Sequence, residues 1–219
     1  MFRTVVKVLL ILSFACVAIS AQQPTTPVSE TKANVRPTPA PEQLSAEPFD
    51  KADVKTMASR CVQFDTEAGV IEMEMFPESA PESVRNFLNL TAIGAFDNTT
   101  FSRVVPGFVI QGGDLYTSGK IIPQLAARAR RSVPDEPNKI LHERGILSMA
   151  RSDKPNSATT HFFILVDTAL NLDGTFAAFG RVAKGMEFVD AINKAAVSNE
   201  KPDKPVKIKK ASLFECSEQ

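Results

Sequence analysis

From Arg60 onward the chain carries its apolar residues in short runs broken by Gly, Pro and Asp, and this punctuation constrains its fold more than any other feature. Val62 and Phe64 alternate with polar neighbours. After Glu67-Ala68-Gly69, the residues Ile71, Met73 and Met75 alternate with Glu72 and Glu74. A period of two with acids on the other face predicts a half-buried hairpin. Further short apolar runs fall at residues 101–111, 145–150, 161–166 and 176–182. Two segments read as helices. In the first, Ser79 and Glu82 have capping-box spacing and Pro81 falls in the first turn. Val84, Phe87, Leu88 and Thr91 make one apolar-leaning face, and Gly94 can end the helix. The second begins near Gly185 with Met186, Val189 and Ile192 inward. Many short strands with two isolated helices predict a mainly-β closed sheet with helical caps.

The first 58 residues are different material. Arg3 and Lys7 precede an apolar run over residues 8–19 and the small residues Ser20 and Ala21. This is the layout of a secretory signal peptide, residues 1–21, with cleavage after Ala21. The run is shorter than the roughly 20 residues that cross a bilayer, so no stable span is expected after cleavage. An uncleaved anchor, or lipid on Cys16, is the alternative. Residues 22–58 interleave Pro24, Pro27, Pro37, Pro39, Pro41 and Pro48 with Thr, Ala, Ser and Glu. Such a stretch buries too little apolar surface to offset its ordering entropy, so it is expected to be a disordered linker ahead of one domain, residues 59–219.

Composition narrows the function. The chain has 25 basic and 25 acidic residues, which argues against an electrostatic nucleic-acid binder. Fifteen Phe against one Tyr and no Trp favour a greasy pocket or core over a hydrogen-bonding one. With the signal removed, Cys61 and Cys216 remain. In an oxidising compartment an even pair can form a disulfide, and two separate buried thiols are the alternative. Two histidines and unclustered cysteines offer no credible metal site.

Three ordered blocks carry a family resemblance. FSRVVPGFVIQGGD (101–114), GILSMAR (145–151) with SATTHFFI (157–164), and LDGTFAAFGRVAKGMEFVDAI (172–192) resemble the cyclophilin-type peptidyl-prolyl cis/trans isomerases. The likeness covers residues 60 to 216. It implies an eight-stranded antiparallel closed β-barrel capped by two α-helices, no cofactor, and a monomer acting on proline-containing polypeptides. The resemblance matches Arg103 to the catalytic arginine and Gln111 to the residue that holds the substrate backbone and places that arginine. Phe108, Val109, Phe163 and Leu172 map to the proline pocket, with Val105 nearby. Ala150 and the backbone of Arg151 match the strand edge along which peptides lie, and Phe176 stands at the rim. Phe162 and Phe163 must point to opposite faces of a strand, and only the family pattern selects Phe163. The first and last strands of such a barrel are neighbours, which implies a Cys61–Cys216 disulfide.

Departures from the pattern matter as well. His161 stands where many members carry Gln, and a weak pH dependence near 6.5 is expected from it. Asn171 replaces a bulky aromatic, which implies weak inhibition by cyclosporin. His142 lies in a polar, turn-like stretch and reads as solvated, and the basic segment 124–132 reads as a solvated loop. The leading expectation is a periplasmic or secreted isomerase that assists the folding of exported proteins. A catalytically weak proline-peptide-binding module and an envelope-tethered scaffold are the competing ones.

Overall fold

A computed structural model describes residues 46–119 and 121–216. The expected signal segment and the linker up to residue 45 lie outside the described residues. The expected hairpin pairs Arg60–Thr66 (β1) with Val70–Met75 (β2). Val62, Phe64, Ile71 and Met73 are fully buried and Met75 nearly so, as the alternation requires. The turn is fastened by the Thr66 hydroxyl, which accepts from the amides of Ala68 and Gly69.

Ten strands lie among the described residues. Eight form one antiparallel sheet, in the order β10-β1-β2-β7-β5-β6-β4-β3. Its other members are Arg103–Val105 (β3), Val109–Gly112 (β4), Ile146–Met149 (β5), Phe162–Leu165 (β6), Ala178–Lys184 (β7) and Ile208–Glu215 (β10). Val197–Ser198 (β8) and Lys201–Pro202 (β9) make a separate hairpin. The expected closed barrel is not formed. The sheet is open, with β10 and β3 as its edges, and one isolated bridge, Thr100 with Lys207, stands where a closing ladder would run. The reason lies at the β3 edge. β3 is only three residues long, and the Val104 amide on its outer side donates to the Glu200 carbonyl of the β8–β9 hairpin. That hairpin takes the place a continued β10 would need.

Four α-helices, not two, stand among the described residues: Val54–Ala58 (α1), Pro81–Ala92 (α2), Pro123–Arg128 (α3) and Met186–Asn193 (α4). None is long and apolar enough to cross a membrane. The capping box expected for α2 is absent, because Ala80 is the N-cap and makes no side-chain bond. Glu136 caps the helix from a distant loop instead, accepting from the amides of Glu82 and Ser83 and from the Ser83 hydroxyl. A carboxylate at this end satisfies otherwise unpaired amides and opposes the helix dipole favourably.

Ordered structure is already present ahead of the expected boundary at residue 59. Phe49 and Met57 are buried in the main core, and Asp53 caps α1 by accepting from the Thr56 amide. Arg85 Nη1 donates to the carbonyls of Phe49 and Ala52, and Asn89 accepts from the Phe49 amide. Glu47 pairs at 2.5 Å with Arg128, a residue only 2% exposed. The basic segment is therefore partly helical and partly buried, not a solvated loop. Proline density averaged over 22–58 concealed that its last residues bring their own anchors, Phe49 and Met57.

The core has two compartments divided by the sheet's alternation. On one side Phe64, Phe87, Phe96, Phe101, Phe162 and Phe179 form a cluster with ring centroids 5.1 to 6.4 Å apart. On the other, Val109, Phe163, Leu165 and Leu172 pack with Ile146, Ala169 and Ala178. Adjacent residues of a strand face opposite ways. Phe162 therefore joins the main core and Phe163 the smaller one.

Candidate active site

The smaller compartment opens to solvent as a hollow of about 170 Å³, lined by Arg103, Phe108, Val109, Gln111, Ala150, Arg151, Phe163, Leu172 and Phe176. Cross-strand register assembles it. Arg103 lies opposite Gln111, Gln111 opposite Phe163, and Phe163 opposite Ser148. The β3–β4 connection is a tight turn in which Phe108 N–H donates to the Val105 carbonyl, with Gly107 at φ 72°. Pro106 followed by a residue at positive φ suits such a turn, and the second position favours glycine.

The floor and one wall are apolar: Val109, Phe163 and Leu172 are 2%, 6% and 8% exposed. Phe163 meets Phe176 edge to face at 6.0 Å, and the Arg151 guanidinium carbon stands 4.8 Å from the Phe176 ring centre. A cation above an aromatic face is attracted to it, which steadies Phe176 at the rim. At the mouth, Arg103 Nη1 donates to Gln111 Oε1 at 3.2 Å, and Arg103 Nε donates to Glu200 at 2.7 Å.

Nine of the eleven residues expected at the site line this hollow; two do not. Val105 packs against the apolar wall from outside the lining. His161 is half-buried beside Ala150, whose amide donates to the His161 carbonyl, but its side chain stands outside the hollow. Burial holds the His161 imidazole below its ordinary pKa of 6.5, with the Asp114 charge opposing in part. The pH dependence expected from this imidazole is thereby moved below 6.5. A depressed imidazole is neutral above that pH, so kcat/KM is predicted to stay flat from pH 6.5 to 8 in an exchange-NMR assay. An inflection near 7 that vanishes in His161→Gln would contradict this. The sign for stability is the same: the contribution is present above the unfolded value and declines as pH falls.

Three features escaped the sequence reading. Asn193, at the end of α4, accepts from the Gly107 amide and donates to the carbonyls of Val105 and Val109, so it fixes the turn that carries Phe108. His142 is fully buried, not solvated. Its ring bonds Asp173 and Ser148 at 3.1 Å each, tying the loop after Leu172 to β5 behind the hollow. Glu200 lies 97 positions from Arg103, too far for any local pattern to pair them.

Cys61 and Cys216 are joined by a disulfide with Cα atoms 5.1 Å apart. It fastens β1 to the end of β10, at the opposite edge of the sheet from β3 and β4.

Fold and site together define an open antiparallel sheet that carries a small, largely apolar recess with a planar cation at its mouth. The chain belongs to the cyclophilin-type peptidyl-prolyl cis-trans isomerase family, whose model matches residues 61–213, and it is a peptidyl-prolyl isomerase. It is 36% identical over 162 residues to a peptidyl-prolyl cis-trans isomerase of Acinetobacter baylyi, covering 69% of this chain and 84% of the relative. It is 36% identical over 182 residues to peptidyl-prolyl cis-trans isomerase A of Dickeya dadantii, covering 78% and 93%. A Cryptosporidium parvum cyclophilin type isomerase, solved in the presence of the dipeptide Ala-Pro, superposes with a TM-score of 0.63 at 31% identity, covering 71% of this chain and 99% of that one.

Proposed function

We propose that the hollow takes the proline ring of an X-Pro segment, and that Arg103 and Gln111 are the catalytic pair. An X-Pro bond resists rotation because the nitrogen lone pair is delocalised into the carbonyl, with a barrier of roughly 18–20 kcal/mol. No covalent bond has to break. The enzyme needs only to favour the twisted state, in which the nitrogen becomes pyramidal and basic. A guanidinium donating to that nitrogen binds the twisted state more strongly than the planar one, which is the condition for acceleration. Arginine suits the task because its donors lie on one rigid, permanently charged plane.

In this reading Phe108, Val109, Phe163 and Leu172 hold the pyrrolidine still while the preceding carbonyl swings. Val105 supports them from behind, and Phe176 closes the rim. Ala150 and Arg151 offer the peptide an edge, and His161 contributes through its backbone rather than its imidazole. The observation that carries the reading is the Arg103–Gln111 bond at the mouth of a recess whose floor is Val109, Phe163 and Leu172. The Ala-Pro dipeptide present with the C. parvum relative is of the same ligand class.

The substrates in this proposal are exported proteins whose folding waits on proline isomerisation, in a periplasm or secretory lumen. The N-terminal pattern at residues 1–21 and the Cys61–Cys216 pairing, which suits an oxidising compartment, support it. Sequencing the N-terminus of the mature protein tests it. A chain beginning at Gln22 is expected, and one retaining Met1 in the cytosol would sink the export reading.

A further inference from the structure

We infer that Glu200 is a positioning residue, which holds the plane of the Arg103 guanidinium so that its remaining donors face the hollow. The inference rests on Arg103 being the catalytic cation. Glu200 sits in the two-residue turn between β8 and β9, where both Asn199 (φ 51°) and Glu200 (φ 64°) adopt the left-handed conformation. Hairpin turns of this kind favour Asn followed by Gly. The first residue here fits that preference. The second carries a side chain where glycine would be free of steric cost.

Stability does not account for the glutamate. Its ion pair with Arg103 is open to water, with the two side chains 50% and 41% exposed, and pairs so exposed contribute little. Its geometry is nonetheless well determined. The Glu200 carbonyl accepts from the Val104 amide, immediately beside Arg103 on β3, while its carboxylate accepts from Arg103 Nε at 2.7 Å. Gln111 Oε1 accepts from Nη1 at 3.2 Å. A planar fork held at Nε on one side and at Nη1 on the other has lost its rotational freedom. Both Nη2 hydrogens and one Nη1 hydrogen are then left for the substrate. Strained backbone of this type gathers where a site must over-determine a side chain, and misplacing a catalytic group by a fraction of its reach costs rate far more than binding.

The test compares Glu200→Gly, Glu200→Gln and Arg103→Ala, and combines the first with the third, using exchange NMR on an Ala-Pro peptide. Glu200→Gly removes the carboxylate but suits the backbone, so its Tm is expected to equal or exceed that of the parent. Its kcat is expected to fall about tenfold, with KM within about twofold. Glu200→Gln keeps an oxygen that can accept from Nε and is expected to retain kcat within about threefold. Adding Glu200→Gly to Arg103→Ala is expected to cost nothing further, because the residue acts only through the arginine. A Glu200→Gly variant with the parent's kcat overturns the inference, as does an equal loss with or without Arg103. If Arg103→Ala alone leaves kcat unchanged, the assignment of the catalytic cation fails first, and the positioning role falls with it.

Discussion

Replacing both Cys61 and Cys216 by serine is expected to lower the unfolding free energy by up to about 5 kcal/mol and to leave kcat/KM of the folded protein unchanged. The disulfide closes a loop of 155 positions, so in the chain-entropy model it removes a large part of the denatured chain's freedom. The native state needs little help at that point. β1 and β10 are paired from Arg60 with Glu215 onward, and the Cys216 amide donates to the Ser59 carbonyl. What the cross-link adds is resistance of an edge strand to peeling, since β10 has a ladder partner on one side only. The hollow lies over β4 and β6, towards the other edge, which is why activity should survive. Urea unfolding of the oxidised parent beside the double serine variant reads the difference. Equal midpoints would show that the bond contributes nothing, and a loss of kcat in the folded variant would show that the two edges are coupled.

What the sequence made legible divides along a physical line. Local periodicity located the β1–β2 hairpin and the inward residues of α2 and α4, because burial of alternate or every third to fourth side chain is written in adjacent positions. The turn at Pro106-Gly107 was not legible, since residues 101–111 read as one apolar run that the structure divides into β3 and β4. Nor was the open state of the sheet. Whether β3 meets β10 depends on where the Glu200 carbonyl stands, a long-range fact with no local signature, and both the strand pattern and the resemblance pointed to closure. The cap of α2 misled for a similar reason. Ser79 and Glu82 have the right spacing, yet Glu136, more than fifty positions away, reaches the amides first.

The same division holds at the site. Nine hollow-lining residues are legible in the sequence because three contiguous blocks carry them, and register brings those blocks abreast. Asn193 and Glu200 were missed because each acts on residues far away in the chain through a single side chain. His142 looked solvated amid polar neighbours, and only the fold reveals that Asp173 and Ser148 satisfy both ring nitrogens. Polar residues buried by distant partners are the ones that sequence patterning misassigns.

Arginine 103 carries the largest expected effect on activity. Its truncation to alanine removes the guanidinium bonded to Gln111 at the mouth of the recess but leaves Phe108, Val109, Phe163 and Leu172 in place. The proline ring should therefore still bind, and KM should move by no more than a few fold. The twisted state loses the donor it alone needs, and deletion of a preorganised donor of this kind lowers kcat by about 10²–10³. Lysine at this position restores charge without the planar fork and should recover only part of the loss. Exchange NMR of an Ala-Pro peptide with the parent and Arg103→Ala measures this without a coupling protease. The account predicts that kcat falls at least about a hundredfold while the peptide still saturates the variant; a kcat within about threefold of the parent would mean that rotation about the imide bond is promoted by something other than this guanidinium.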